Sequence, residues 1–244
     1  MDIAIGDTIV VYKSGEIIPK VKEVLHDKRP EGAHTFVIPA VCPVCGAPTY
    51  REENTADIKC SSATCPAQLE RHIINFVGRD AMDIKGFGTA YIEELIRQGY
   101  LHDIADIYEL SAYREELIEK GILGKEKNTD KLLGVIEASK QNDAYQLMTG
   151  LGISGIGKTA AKSLMEHFGS IHAVAEASME QLVEVNDIGE ISAKAIYQYF
   201  HDTKSKELLE RMQKHGVNMV RLQAAGSDDV LANNTFVITG TLPT

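Results

Sequence analysis

Short glycine-centred turns recur along this chain around Gly88, Gly124, Gly157 and Gly189, at separations of 36, 33 and 32 residues. Each turn joins one run of helical apolar spacing to the next, and residues 67–222 read as almost entirely helical. The third unit is the clearest: Leu151-Gly152-Ile153-Ser154-Gly155-Ile156-Gly157-Lys158-Thr159-Ala160-Ala161, then Leu164, Met165 and Phe168 on the inner side of the following helix. The first unit, Asp83-Ile84-Lys85-Gly86-Phe87-Gly88-Thr89, has the same form. The second, Ile122-Leu123-Gly124-Lys125, reads as keeping only the second glycine, with Lys125 and Lys127 beside it. The fourth has Asp187 where the first glycine belongs and Glu190 after Gly189.

A Gly-apolar-Gly turn has a chemistry of its own. Glycine permits a positive φ, and its bare Cα lets a phosphate approach the backbone. The amides that follow point outward at a helix N-terminus, where the dipole favours an anion. The apolar residue between tucks inward and pins the turn. The candidate contacts to a phosphate backbone are therefore Gly86, Gly88 and Thr89, then Gly124 and Lys125, then Gly155, Gly157 and Lys158. Asp187 and Glu190 would repel an anion, so the fourth turn is expected to be mainly structural or a weak binder. TPR and ankyrin repeats have a similar period, of about 33–34 residues, but do not require these turns. A plain helical scaffold stands as the alternative.

All four cysteines fall in residues 41–66, as Cys42-x2-Cys45, a 14-residue loop, and Cys60-x4-Cys65. Two close pairs across a loop suit one tetrahedral zinc held by four thiolates. Pro43, Gly46 and Pro48 favour a tight turn at the first pair. An iron–sulfur cluster uses the same ligands, and disulfides suit an oxidising compartment that nothing here marks. Four thiolates leave no position for water, so the expected role is folding and not catalysis.

The net charge is −10, so contact with nucleic acid must be local and not a general basic coat. There is no Trp, and aromatic residues make up 6% of the chain, which favours a groove or backbone binder over a stacking platform for single strands. No apolar run is long enough for a membrane span and no signal peptide is visible, so a cytosolic, membrane-free protein is expected. His72, His102 and His167 read as surface or packing residues, and Glu115, Glu116 and Glu119 as a solvated helix face.

Thr8–Tyr12, a Ser14-Gly15 turn and Glu16–Ile18 read as strand, turn, strand, resembling the remainder of a β-barrel. The expected class is mainly α: a tandem helix-hairpin-helix domain preceded by a small four-cysteine zinc finger and barrel strands. The expected boundaries are barrel strands at 1–40, zinc finger at 41–66, four hairpins at 67–222, a polar linker at 223–234 and one strand at 235–244.

The order of motifs closely resembles the C-terminal half of the bacterial NAD-dependent DNA ligases. The resemblance runs through Gly6-Asp7-Thr8, Ser14–Pro19, Cys42-Pro43-Val44-Cys45-Gly46, Cys65-Pro66-Ala67-Gln68, Phe76–Ile84, the hairpins and Thr235–Leu242. It implies the end of an OB-fold, a zinc finger, four helix-hairpin-helix motifs and the first strand of a BRCT domain. It also implies a partnership with nicked double-stranded DNA and with the ligase's own N-terminal adenylation domain. In that family NAD adenylates a lysine in a Lys-x-Asp-Gly motif, with Mg2+ required, and AMP passes to the 5′-phosphate of the nick. No such motif occurs in this chain. The expectation is a monomeric, cytoplasmic, nucleoid-associated piece with zinc of its own, non-catalytic alone. A stand-alone helix-hairpin-helix repair enzyme, such as a glycosylase, and a protein scaffold are the other readings.

Overall fold

The computed structural model describes residues 2–15, 17–51, 57–62 and 64–222. The expected linker at 223–234 and strand at 235–244 lie outside the described residues. The chain divides into two compact units, Met1–Cys65 and Pro66–Thr244.

The first unit is built from short strands: β1 (Ala4–Ile5), β2 (Ile9–Ser14), β3 (Ile18–Val24), β4 (His34–Thr35), β5 (Thr49–Arg51) and β6 (Ile58–Cys60). They pair antiparallel as β1 with β4, β2 with β3, and β5 with β6. The β2–β3 hairpin turns where Ser14-Gly15 led us to expect it, with Gly15 at φ +74°. Its second strand begins at Ile18 and continues to Val24, further than the apolar run indicated, because strand pairing carries it through Lys20 and Lys22. Asp7 knots the unit's N-terminal end: its carboxylate accepts from the Ala4 N–H at 2.8 Å and from the Arg29 guanidinium at 2.7 Å. Ala4 is the single buried apolar side chain among the described residues before Cys42, while Ile17, Phe36 and Val37 are exposed. A two-stranded ribbon cannot bury both of its faces without a further layer.

The second unit is helical: α1 (Pro66–Val77), α2 (Thr89–Arg97), a 3-10 segment (Asp106–Tyr113), α3 (Arg114–Glu119), α4 (Glu126–Ser139), α5 (Ala144–Gly150), α6 (Lys158–Phe168), α7 (Ile171–Glu176), α8 (Met179–Val183), α9 (Glu190–His201) and α10 (Thr203–Lys214). One apolar cluster runs through it, from Ile73 and Phe76 on α1 by way of Leu95, Leu117, Leu147 and Leu164 to Ile196, Phe200 and Met212. Helix α1 ends at Val77 because the chain turns at Gly78 and the N–H groups of Met82 and Ile84 reach back to the carbonyls of Phe76 and Val77. Gly150 lets α5 cross α1 closely: a Cβ there would stand 2.8 Å from the Phe76 ring.

A charge cluster ties α10 to the 3-10 segment. Arg211 bonds Asp103 at 2.6 Å, Glu109 at 2.7 Å and Asp106, and His215 meets Glu109 at 3.2 Å. The Arg211 guanidinium holds the Glu109 carboxyl below its ordinary range. Burial works to raise Asp106, but the His102 N–H and Arg211 outweigh it and leave it lowered. Acidic side chains here pin helices together and do not face a ligand.

Candidate metal centre and nucleic-acid interface

The two cysteine pairs meet as the spacing requires. The Cys42 N–H bonds the Ala47 carbonyl at 2.7 Å and the Gly46 N–H returns to the Cys42 carbonyl at 2.9 Å, closing a tight knuckle with Gly46 at φ +72°. The β5–β6 hairpin delivers Cys60, and the Ser61 N–H bonds the Pro48 carbonyl at 3.0 Å, which seats the second pair against the first. The four Sγ atoms all lie within 4.8 Å of one another. Cys42 and Cys65 are 3.9 Å apart, and Cys45 and Cys60 are 3.4 Å apart. A tetrahedron with Zn–S bonds of about 2.3 Å has S–S edges of about 3.8 Å. A disulfide needs about 2.05 Å, so the cysteines are not paired in that way.

The surroundings act unequally on two of the thiols. The N–H groups of Cys45 and Val44 draw the Cys42 thiol down to about 7. The Ser62 N–H favours the Cys60 thiolate, but burial and the neighbouring thiols outweigh it and push Cys60 up to about 12. Four thiolates in so small a space repel one another, and a divalent ion removes that conflict. The cluster fits zinc in a closed, four-coordinate site.

The hairpins divide the work of glycine between two positions. The first position takes the left-handed conformation: Gly86 at φ +88°, Gly124 at +88°, Gly155 at +80°, and Asp187 at +68°. The second position is extended and caps the outgoing helix: Gly88 at φ −77°, Gly157 at −95° and Gly189 at −87°. A Cβ at any of these three would meet nothing within 4 Å, so their bare Cα atoms face open space. The apolar residue between, Phe87, Ile156 or Ile188, is buried as expected.

The second hairpin differs from the sequence reading. Gly124 stands at the first position and not the second, since its φ is +88° and Lys125 caps α4. The turn is one residue shorter: the apolar residue is missing, and Lys125 takes the capping place of the second glycine. A further regularity escaped the sequence reading: three of the hairpins also hold a left-handed residue three places earlier, at Asp83, Gly121 and Gly152. Each is followed by a buried isoleucine, Ile84, Ile122 and Ile153. The glycines at 121 and 152 were the available signal; Asp83 gave none.

The helices begin in two ways. Helices α5, α7, α8 and α10 start at Asp143, Ser170, Ser178 and Asp202, each accepting a backbone N–H on its side chain. Helix α3, which continues the 3-10 segment, has no side-chain cap, and neither do α2, α4, α6 and α9, which leave the hairpins. Their first amides are unclaimed by any side-chain cap, and those of α2, α6 and α9 stand beside open glycines.

Three contacts order the hairpins in space. Asn128 donates to the Tyr91 hydroxyl at 3.1 Å, joining the second hairpin to the first. Lys158 meets Asp80 at 3.1 Å, joining the third to the first. A Cβ on Gly155 would lie 2.9 Å from the Ser192 Oγ, so the fourth abuts the third. Their order in the fold is second, first, third, fourth. Lys158 is thus shared with a carboxylate, though both side chains are exposed and such a pair is weak. Lys85 likewise lies 3.5 Å from Asp83. His72 packs inward, its Nε2 3.1 Å from the Leu151 carbonyl, and burial lowers its pKa.

A four-thiolate knuckle with tandem hairpins of this kind defines a zinc-finger, helix-hairpin-helix protein. Residues 41–67 match the NAD-dependent DNA ligase C4 zinc finger domain, and residues 146–209, the third and fourth hairpins, match the helix-hairpin-helix motif. Among curated relatives, a DNA ligase of Clostridium kluyveri is 45% identical over all of this chain and 37% of its own length. DNA ligases of Symbiobacterium thermophilum and Acetivibrio thermocellus are 41% and 42% identical over 99% of this chain and 36% of theirs. The chain therefore spans little more than a third of the relatives it matches, and what it matches is a C-terminal fragment of the NAD-dependent DNA ligases. Among the described residues no helix is long and apolar enough to cross a membrane.

Proposed function

We propose that this chain grips nicked duplex DNA for an NAD-dependent ligase. The observation that carries the reading is the coincidence of uncapped helix starts with open glycines. Helices α2, α6 and α9 keep their amides free of side-chain caps beside the open glycines Gly88, Gly157 and Gly189, while α5, α7, α8 and α10 are capped and α3, uncapped, begins at Tyr113 and not at a glycine. Uncapped amides at a helix N-terminus bind phosphate oxygens. Backbone amides register phosphate position and not base sequence, which suits sealing at any sequence.

In this reading Gly86, Gly88 and Thr89 hold phosphates at the first hairpin, and Gly155, Gly157 and Lys158 at the third, with Gly124 and Lys125 contributing at the second. Cys42, Cys45, Cys60 and Cys65 hold a structural zinc. Residues 1–40 are the end of an OB-fold. NAD and Mg2+ belong to the adenylation domain, which carries out nucleotidyl transfer, and the chain by itself is non-catalytic. It works as a monomer in the bacterial cytoplasm on the nucleoid.

Fluorescence anisotropy on a labelled nicked duplex tests this. Binding is expected at low ionic strength, weakening steeply with salt as counterions are released. Gly157→Asp is expected to weaken it by about tenfold, the loss of a charge-assisted contact, with helical circular dichroism unchanged, since a side chain there meets open space. Absence of salt-dependent binding refutes the reading. Adding the adenylation domain in trans is expected to restore NAD-dependent nick sealing.

A further inference from the structure

The fourth hairpin is the odd member of the set. Asp187 and Glu190 flank Gly189, so its nest is electrostatically poor for a phosphate. Yet its outgoing helix is as uncapped as the others. Two residues beyond the second glycine the first and third hairpins carry Ala90 and Thr159, and the fourth carries Ile191. Ile191 is 88% exposed, the highest of the large apolar side chains among the described residues. A lone exposed isoleucine needs no explanation in general; its position supplies one. Ser192, the next residue, lies against Gly155, at 2.9 Å from where that glycine's Cβ would be. Ile191 therefore stands beside the junction of the fourth hairpin with the third.

We infer that Ile191 is an apolar minor-groove contact, packing against the deoxyribose walls beside the phosphate held at Gly155–Gly157. The inference rests on the duplex-binding reading given above. A duplex places a phosphate ridge and an apolar sugar wall side by side, and minor-groove proteins use apolar side chains there. The two hairpins then act unequally: the third takes charge, and the fourth fills the groove with a side chain that its own carboxylates keep away from the phosphates. Ile191 thus positions the duplex laterally without adding to phosphate neutralisation.

The salt dependence of binding separates these roles. Nicked-duplex affinity is measured by anisotropy across a salt series for the whole chain, Ile191→Ser, Ile191→Leu and Gly157→Asp. Ile191→Ser is expected to weaken binding about fivefold at every salt concentration, as partial exposure of an apolar side chain would, with the slope of log K against log salt unchanged. Ile191→Leu is expected to bind as the parent does, and Gly157→Asp to flatten the slope. An unchanged affinity for Ile191→Ser, or a slope that falls as it does for Gly157→Asp, overturns the inference. A parent chain that shows no salt-dependent binding fails the duplex reading itself, and the two failures are distinct. Ile191 is exposed, so equal thermal melting of its variants and the parent is expected, and a lower melting point in Ile191→Ser would assign the side chain to packing and refute the groove contact.

Discussion

Asp187 offers a test of the hairpin architecture in which charge and conformation separate. It holds φ +68° where the first and third hairpins have glycine. A left-handed conformation costs an L-residue about 1–2 kcal/mol, with aspartate near the low end because its short side chain tolerates the region. Glycine removes that cost but loses about 0.5–1 kcal/mol more backbone entropy on folding. Asp187→Gly should therefore stabilise the chain by about 0.5 kcal/mol, a rise in melting temperature of about 1–2 °C for a domain of this size. Asp187→Ala discards aspartate's tolerance and gains no freedom, so it should destabilise by about 0.5–1 kcal/mol. Both variants remove the same carboxylate from beside the hairpin, and both should bind nicked duplex about twofold tighter at low salt, since screening weakens a single exposed charge. Urea unfolding followed at 222 nm measures the first pair of effects and anisotropy the second. If Asp187→Ala is as stable as Asp187→Gly, the left-handed strain is not real. If neither binds more tightly, the carboxylate does not face the DNA.

Zinc analysis by atomic emission should find a single zinc per chain and no iron. Chelation, or Cys42→Ser, should disorder the segment around residues 41–65 while helical signal persists, because the apolar cluster of the second unit contains none of the cysteines. Acid should weaken the second unit through Asp106 and Glu109, whose carboxyls are lowered in the fold. A depressed carboxyl contributes stability above its unfolded value, near pH 4, and that stability is lost as the pH falls through the folded value. Arg211→Met should cost about 2 kcal/mol at neutral pH, because it strands half-buried carboxylates, and should flatten this acid limb. An unaltered limb in urea midpoints between pH 5 and pH 3 would show that the cluster is not its source.

Much of the molecule was legible in its residues because the decisive signals are local. The cysteine spacing brings four sulfurs within 4.8 Å with little help from the rest of the chain, since each pair sits on its own short turn. The Gly-apolar-Gly pattern places Phe87 and Ile156 inward by turn geometry alone. The misreading of Gly124 shows the limit. A single glycine can serve either position, and only its backbone φ distinguishes them. Where α1 ends was not legible either: Gly78 and the carbonyls that receive the following loop decided its last turn.

What the sequence determines by itself is chemistry tied to short spacing: a four-thiolate cluster, glycines at helix starts, and a fourth turn flanked by the carboxylates of Asp187 and Glu190. Tertiary structure decides which of these become neighbours. The contact of Gly155 with Ser192, the Lys158–Asp80 pair and the Arg211 cluster join residues 37, 78 and about 105 positions apart. No local pattern encodes such pairings, because they follow from how one continuous apolar core closes around all the helices at once.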